Sequence, residues 1–359
     1  MYRRRRVGIL LGAPLLNRVL SGKPTHEKAR LYFEYGYHNG LSPILFDLKG
    51  LDLKKRQVTG YVWKPSKQRY VRTVCPLPHV VHKRDLISSP KLGVLSKLLG
   101  KRLFNPLINR NKLAIHYLLR KNLKLRPFLP DAREVRDAAH IIQLVQRYST
   151  VFIKPAIGSL GKNIAKISSI GNNYYKFYPY RGKVRSLSTK QLKRELKKHY
   201  MTNRHFFVQQ GINLAKYHGS PFDLRVSAQK GGNGRWQISG SVAKVARQGI
   251  LTNLSQNGKA IPATTVLTHA FPGKNPQIIL QKVKQLAVEV CKTLEKAYPA
   301  FADAGLDIGL DYNGHPWLIE VNFRDLRYSF RSAGEYTMFK NTYYTPMRYA
   351  KYLLSSRST

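Results

Sequence analysis

The sequence has little cysteine, few acidic residues and no long apolar run. Its two cysteines, Cys75 and Cys291, are too few for a disulfide framework or for a metal site built from several thiolates. A reducing compartment is the simplest setting for such a chain. No apolar stretch approaches the roughly 20 residues that a membrane-spanning helix needs. We therefore expect a cytoplasmic protein without a transmembrane segment.

The first residues resemble the start of a secretion signal but lack the features that would make it one. Basic residues 3–6 precede the apolar stretch 7–16, but Gly12 and Pro14 interrupt that stretch, and no small-x-small cleavage site follows it. A first β-strand over residues 7–11 that continues into a glycine- and proline-containing loop accounts better for the pattern. The start of the chain therefore predicts a folded domain and not a leader.

Acidic residues are scarce beside basic ones. Lys and Arg number 63 against 18 Asp and Glu, which gives a net charge of +45. Such an excess goes far beyond what solubility needs, and it implies contact with nucleic acid, an anionic polymer or an anionic surface. The hydrophobic content of 43% is ordinary. A chain of 359 residues with this composition suits two or three subdomains around an ample core.

Apolar periodicity and capping residues predict a mixed α/β chain. Helical patterns cover residues 25–39, 88–104, 109–122, 131–148, 187–200, 275–298 and 345–354. Strand patterns cover residues 43–47, 57–63, 70–74, 79–82, 151–154, 205–209, 222–229 and 236–246. Residues 125–130 are predicted to be extended. We interpret residues 168–201 as an insertion whose aromatic strand, 174–180, either stacks bases or sugars or forms one apolar face, and we favour the apolar face.

Two short apolar runs, residues 306–310 and 317–321, flank an Asp-Tyr-Asn-Gly turn and predict a β-hairpin. Three oxygen-bearing side chains lie on its strands or at their ends: Asp307, Glu320 and Asn322. Glu320 and Asn322 leave the same face, which Asp307 reaches if the strand register places it opposite. Two carboxylates and an amide form a hard-oxygen set suited to Mg²⁺. Solvated carboxylates are the alternative, but Glu320 lies between apolar neighbours, where an unpaired charge is costly.

A second motif, residues 151–164, joins an apolar strand to a glycine-containing turn. Lys154 ends the strand, and Gly158, Ser159 and Gly161 lie in the turn. Glycines let backbone N–H groups approach phosphate oxygens, while Lys154 adds a positive charge. The spacing is not that of a Walker loop. An ordinary hairpin with Gly and Ser in its turn explains the pattern equally well.

Polar residues on the later strands are further candidates for a binding site. One candidate is a predicted strand end that turns at a glycine: Gln209, Gln210, Gly211 and Ile212. Main-chain N–H and C=O groups at such a strand end commonly hydrogen-bond to the edge of an adenine ring. Four residues are candidates to hold a transferring phosphate and an anionic substrate: Arg225, Lys244, Arg247 and Asn253. In so basic a protein, charge on a surface strand is the alternative for each of them.

Taken in order, these pieces resemble the ATP-grasp superfamily and, within it, the YheC/YheD group of endospore-coat-associated proteins. The resemblance covers nearly the whole chain. It is carried by Lys112 on an early helix, Lys154 before the glycine-containing loop, the strand end at 209–212, and Asp307 with Glu320 and Asn322. Residues 207–212, 222–226, 244–247 and 252–255 carry the likeness to the YheC/YheD group.

The resemblance implies an ATP-grasp fold of the α+β class. Two subdomains, residues 106–210 and 211–359, would clasp ATP, preceded by an α/β domain at residues 1–105. Lys112, Lys154 and the glycine-containing loop would bind phosphates, residues 209–212 adenine, and the three oxygen-bearing side chains Mg²⁺. Members of the superfamily typically convert a carboxylate into an acylphosphate that an amine or thiol attacks. Arg225 and Arg247 would lie beside the metal and neutralise charge.

Two departures from the superfamily pattern concern the substrate side. Asn-Phe-Arg-Asp-Leu-Arg at residues 322–327 replaces the usual Asn-x-x-Pro-Gly, and Gln-Asn-Gly-Lys at residues 256–259 replaces an expected Gly-Gly. We therefore predict an ATP- and Mg²⁺-dependent ligase-like enzyme for an acidic small molecule, peptide or polymer, in a spore-coat setting. The alternative is a catalytically reduced scaffold that binds anionic coat or nucleic-acid material, although the sequence has no recognised nucleic-acid-binding module.

Overall fold

The computed structural model describes residues 5–86, 88–105, 111–158, 162–201, 206–246 and 258–355. Three β-sheets follow one another along the chain. The first contains β1 (Arg5–Leu10), β2 (Leu41–Phe46), β3 (Leu51–Asp52), β4 (Gln57–Lys64), β5 (Arg69–Pro76), β6 (Val80–Lys83) and β7 (Leu103–Phe104). Strands β2, β1, β6 and β7 are parallel neighbours in that order, and β4 pairs antiparallel with β2, β3 and β5.

Three helices accompany the first sheet: α1 (Ala13–Leu20), α2 (Arg30–His38) and α3 (Pro90–Leu99). Helix α1 occupies the stretch for which the sequence predicts a loop, so that prediction is wrong. Pro14 lies in the first turn of α1, where its missing N–H would have no helical partner in any case. Leu16 and Val19 then bury the apolar side of the helix. Helix α2 begins at Arg30, later than the predicted residue 25.

The second sheet is antiparallel throughout and has the order β12-β11-β10-β9-β13-β8. Its strands are β8 (Ala132–Glu134), β9 (Thr150–Pro155), β10 (Ala165–Ser169), β11 (Tyr174–Tyr178), β12 (Arg185–Ser188) and β13 (Phe206–Gln210). The helices of this part of the chain are α4 (Lys112–Arg120), α5 (Ala138–Tyr148) and α6 (Thr189–Tyr200). Helices α5 and α6 contribute apolar side chains to the core on this sheet.

Residues 168–201, for which the insertion stays a prediction, build part of the second sheet. Strands β11 and β12 extend it, and Leu187 is buried in its core. Tyr175 and Phe177 are also buried, whereas Tyr174 is about half exposed at 51%. The aromatic strand therefore forms an apolar face, as favoured from the sequence.

Two segments around β8 also differ from the prediction. Residues 125–130, predicted to be extended, lie largely in a 3₁₀-helix at Leu123–Phe128. The helix predicted to start at Asp131 begins at Ala138, because the side chain of Asp137 caps it. Pairing of β8 with β13 takes up the residues directly after Asp131, so the helix begins only after Asp137.

The third sheet has the order β17-β16-β15-β18-β19, with β14 beside β15. Its strands are β14 (Lys216–Tyr217), β15 (Ser220–Lys230), β16 (Trp236–Val245), β17 (Lys259–Pro262), β18 (Asp303–Leu310) and β19 (Pro316–Asn322). The accompanying helices are α7 (Ala263–Ala270), α8 (Pro276–Ala297), α9 (Tyr328–Ser332) and α10 (Tyr336–Ser355). Helix α10 starts well before the predicted residue 345 and contains Pro346 inside it.

Two cores hold the third sheet in place. On one side, Val283 and Val290 of α8 share a buried cluster with Leu224 and Leu306. On the other side, Tyr343 and Met347 of α10 share a buried cluster with Val7 of β1 in the first sheet and Tyr32 of α2. The first and third sheets are therefore joined through α10, and the division at residues 105 and 210 stays a prediction. Within the described ranges, every helix is too short or too polar to span a lipid bilayer.

Candidate functional site

A cleft of about 1130 Å³, part of it open to solvent, lies between the second and third sheets, with α4 along one side. Its polar lining includes Lys112, Lys154, Gln209, Glu320 and Asn322. Its apolar lining includes Ile115, Leu119, Leu129, Phe207 and Leu318. An apolar cleft with a few convergent charged groups is the usual form of a small-molecule site.

Lys112 reaches the cleft from the first turn of α4. Asn111 caps this helix by accepting a hydrogen bond from the N–H of Ala114 at 3.0 Å. The Nζ atom of Lys112 lies 3.3 Å from Oε1 of Glu320, and the two side chains are 18% and 31% exposed. Two residues that are far apart in the sequence thus form an ion pair at the mouth of the cleft.

Lys154 reaches the cleft from the end of β9. Its Nζ atom donates a hydrogen bond to Oε1 of Gln209 on the neighbouring strand β13. Burial and the nearby charge of Lys112 lower the pKa of Lys154 to about 8, and Glu320 and Asp307 only partly oppose this effect. A desolvated lysine beside a second lysine favours an anionic ligand between them, because the ligand would stabilise both charges.

The predicted hairpin is present as β18 and β19, and its register places Asp307 opposite Glu320. The register shifts between Asp307 and Ile308, which marks a bulge beside the two carboxylates. In the connecting turn, Oδ1 of Asp311 accepts hydrogen bonds from the N–H groups of Asn313 and His315. Turn chemistry and register together bring both carboxylates to the same part of the sheet.

Asp307 is surrounded by cations of the same sheet. Arg225 donates from Nε to Oδ1 of Asp307 at 2.8 Å and from Nη2 to Oδ2 at 3.2 Å. The Nζ atom of Lys244 lies 2.9 Å from Oδ1 of Asp307 and 3.0 Å from Oδ1 of Asp223. Burial alone would raise the pKa of Asp307, but Arg225 and Lys244 outweigh it and lower the pKa below its ordinary range. Asp307 is therefore ionised at neutral pH.

The donor chemistry of the three predicted metal ligands suits Mg²⁺. Asn322 donates from Nδ2 to Oδ2 of Asp307 at 3.2 Å, so its amide stands beside the carboxylates. Among the described residues, no cluster of three or more His, Cys, Asp or Glu forms a metal centre. Glu320 and Asn322 would hold the ion from the cleft, and Asp307 would join them by exchanging one of its present contacts.

The structure brings only part of the predicted nucleotide site together. Gln209 and Gly158 line the cleft, whereas Gln210, Gly211 and Ile212 are not among its lining residues. The N–H groups of Gln210 and Gly211 donate to the carbonyls of Asp131 and Thr150, both at 2.8 Å. Four predicted site residues lie outside the described residues: Ser159, Gly161, Arg247 and Asn253.

His116 lines the cleft and was missed by the sequence reasoning. It is buried, at 8% exposure, and its Nε2 atom has no hydrogen-bond partner among the described residues. Burial, with Arg120 nearby, lowers the pKa of His116 to about 4, so the ring is neutral at physiological pH. In the sequence, His116 follows Lys112 by four residues, and this spacing places both side chains on one face of the predicted helix. That spacing could have indicated His116 as a further site residue.

The segment after β19, where the sequence departs from the superfamily pattern, is buried and ion-paired. Asp325 accepts hydrogen bonds from Ser227 and from Nη1 of Arg225, the latter at 3.3 Å. Arg327, fully buried, donates from Nη2 to Oδ2 of Asp303 at 2.6 Å. The departure therefore replaces a proline-glycine turn by residues that fasten this segment to β15 and β18.

Comparison with known proteins identifies the family and the fold. Residues 100–353 match the family described as YheC/D like ATP-grasp. The chain is 26% identical over 341 residues to the endospore coat-associated protein YheD of Bacillus subtilis (strain 168), which covers 91% of this chain and 72% of that protein. The VanG D-Ala:D-Ser ligase from Enterococcus faecalis shares the fold with a TM-score of 0.54 at 11% identity, over 97% of this chain and 100% of that chain. D-alanyl-alanine synthetase A from Vibrio cholerae also shares the fold, with a TM-score of 0.52 at 12% identity, over 98% of this chain and 99% of that chain. The fold is the ATP-grasp fold, as the sequence predicts.

Proposed function

Because this chain belongs to the YheC/D-like ATP-grasp family, we propose that it is an ATP- and Mg²⁺-dependent ligase that joins a carboxylate to an amine. One observation supports the proposal most. Lys112, Lys154, Glu320 and Asn322 come from three separate elements and converge in one cleft that also has an apolar wall. The two cations suit phosphates, the two hard-oxygen donors suit Mg²⁺, and the apolar wall suits a purine ring.

In this proposal each group of residues has one role. Lys112 and Lys154 bind the phosphates, Glu320 with Asn322 and Asp307 binds Mg²⁺, and His116 offers a hydrogen bond to the nucleotide. The nucleotide with Mg²⁺ would supply the phosphoryl group that turns a substrate carboxylate into an acylphosphate, from which an amine then displaces phosphate. Arg225 and Lys244 keep Asp307 ionised and in position. Arg247 and Asn253 remain proposed contacts of the anionic substrate.

The substrate class follows from charge. A net charge of +45 favours an acidic substrate, and we propose an acidic small molecule, peptide or polymer that provides the carboxylate. The relatives are named endospore coat-associated proteins. We propose that this protein acts in the cytoplasm on a component of the spore coat.

The experiment is a calorimetric titration of ATP with Mg²⁺ into the wild type, Glu320→Gln and Lys154→Ala. We expect Mg²⁺-dependent binding in the wild type, loss of the Mg²⁺ dependence in Glu320→Gln, and weaker binding in Lys154→Ala. The matched control is Glu134→Gln, which removes an exposed carboxylate on β8 outside the cleft. Equal binding by Glu320→Gln and the control would contradict the metal assignment.

A second candidate function is a scaffold that has lost catalysis and binds anionic coat or nucleic-acid material. The observation that favours it is the pairing of Asp307 with Arg225 and Lys244, since these cations occupy the oxygens that a metal would need. A folded wild type that takes up no ATP in the same titration would replace the ligase proposal by this one.

A further inference from the structure

A dense cluster of positive charge lies outside the cleft, in the part of the second sheet that contains β10, β11, β12 and α6. Residues 162–201 include eleven Lys and Arg but a single acidic residue, Glu195. That carboxylate is already engaged, because Arg185 donates to both of its oxygens at 3.2 and 2.9 Å. This surface therefore has almost no negative charge of its own to balance its cations.

Helix α6 arranges part of this charge in a stripe. Leu192, Leu196 and Tyr200 are buried against the sheet. The exposed face contains Lys190, Lys193, Arg194, Lys197 and Lys198. Their spacing of three and four residues places them next to one another on the helix surface. From the first to the last, the stripe is about 12 Å long at 1.5 Å per residue, which is the length of about four residues of an extended chain.

The stripe works against the stability of the helix that bears it. Like charges four residues apart, as in Lys190 with Arg194, destabilise a helix. Lys190 also lies in the first turn, where the helix dipole favours acidic residues, and α6 has no acidic residue there. A face whose only task is solubility would mix both signs. The uniform sign therefore indicates a binding surface.

The neighbouring aromatic residues argue against a surface for stacked bases. Tyr175 and Phe177 of β11 face the core. The ring of Tyr178 is covered by two lysines, with Nζ of Lys166 at 5.2 Å and Nζ of Lys176 at 5.8 Å from its centroid. Single-stranded nucleic acids are commonly held by a row of open aromatic rings beside cations. In the described part of this surface Tyr174 is the one largely open ring, at 51% exposure, and a single ring does not form such a row.

We propose that the exposed face of α6, defined by Lys190, Lys193, Arg194, Lys197 and Lys198, is a docking surface for an acidic polypeptide segment. The inference rests on the proposed function, since a ligase that activates carboxylates would take such a segment as its substrate. Lysine side chains pair with carboxylates along a flexible chain without requiring one fixed geometry. The second sheet also includes β9, whose Val151 and Ile153 share a core with α6, whereas Lys154 leaves the opposite face of the strand and lines the cleft. A bound segment would therefore lie on the far face of the sheet that borders the cleft and would reach the cleft around the edge of that sheet.

The test compares two triple variants with equal loss of charge. Lys190→Gln/Lys193→Gln/Lys197→Gln removes three charges from the stripe, and Lys282→Gln/Lys284→Gln/Lys292→Gln removes three exposed charges from α8. Gln resembles Lys in helix propensity, so both helices should persist. Binding of fluorescent poly-L-glutamate is measured at a fixed 100 mM salt, and ATP with Mg²⁺ is titrated into the same proteins.

We expect the stripe variant to bind poly-L-glutamate about tenfold more weakly, because each exposed ion pair contributes a factor of about two to three. The α8 variant should bind nearly as the wild type does, and both should bind ATP normally. Equal weakening in both variants, or none in either, would overturn the docking surface while ATP binding still supports the ligase. Tighter, stripe-dependent binding of oligo-dT at equal charge would also overturn it, in favour of nucleic acid.

Discussion

Lys154 lines the cleft and changes its charge at mildly alkaline pH. Burial and Lys112 lower its pKa from 10.5 to about 8, so in the ligand-free protein it becomes neutral above pH 8. Bound phosphates would favour the charged form. ATP affinity should therefore be constant below pH 8 and fall above it, by up to about tenfold per pH unit. Titrations of ATP with Mg²⁺ between pH 6.5 and 9.5 measure this directly.

The control for this prediction is Lys154→Arg. A guanidinium stays charged throughout this range, so the variant should keep a flat affinity profile even if its affinity at pH 7 is lower. A wild-type profile that remains flat to pH 9.5 would contradict the role of Lys154 at the phosphates. A fall of equal slope in both proteins would assign the titration to another group.

At the same scale, the sequence predicts the chemistry of a side chain better than its partners. Asp307 and Glu320 are recognisable as hard-oxygen donors because of the hairpin in which they lie. That Arg225 and Lys244 already neutralise Asp307 depends on pairing across three strands, which no local pattern contains. The same holds for His116, because only the packed structure shows that its Nε2 atom lacks a partner among the described residues.

At the scale of elements, the segment after β19 is fastened by buried charges. Arg327 donates to Oδ2 of Asp303 and, at 2.8 Å, to the hydroxyl of Tyr32, while Arg84 lies 3.4 Å from the same Asp303 oxygen. Removing one partner from a buried ion pair leaves the other charge uncompensated. Arg327→Met should therefore lower the free energy of unfolding by about 3–5 kcal/mol, as measured by urea denaturation at pH 7.

Its matched control is Arg331→Met on α9, an exposed arginine whose loss should change stability by less than about 0.5 kcal/mol. The pH dependence gives a second check. Burial would raise the pKa of Asp303, but Arg327 and its neighbours lower it below the ordinary value of 3.8. The stability from this cluster is thus present above about pH 4 and is lost as pH falls toward the folded pKa. The difference between wild type and Arg327→Met should shrink below pH 4.

Elements with strong local signals were predicted well, and elements chosen by tertiary pairing were not. The hairpin of β18 and β19 follows from its turn and its alternation, and α8 follows from its apolar spacing. Helix α1 lies where the sequence predicts a loop, because Pro14 is typical of both a loop and the first turn of a helix. Helix α5 begins at Ala138 after its cap Asp137, and not at the predicted Asp131, because strand β8 uses the residues that follow Asp131.

At the scale of the whole molecule, the superfamily and the ATP-grasp fold could be predicted from motifs spread over nearly the entire chain. The contact between the first and third sheets could not be predicted from the sequence. It depends on α10, whose Tyr343 and Met347 share a core with Val7 and Tyr32, residues far away in the sequence. Hydrophobic periodicity shows which face of a helix is buried, but it does not identify the partner.

The net charge of +45 makes the folded state repel itself, and this repulsion has a measurable consequence. Salt screens exposed charges strongly and buried pairs such as Arg327 with Asp303 much less. Raising NaCl from 50 to 300 mM should therefore increase the melting temperature, by about 1–2 °C if the gain is about 1 kcal/mol. The two triple glutamine variants have three fewer positive charges each and should show a smaller increase. A melting temperature that falls with salt would mean that exposed pairs such as Lys340 with Glu34 stabilise the fold more than the net charge destabilises it.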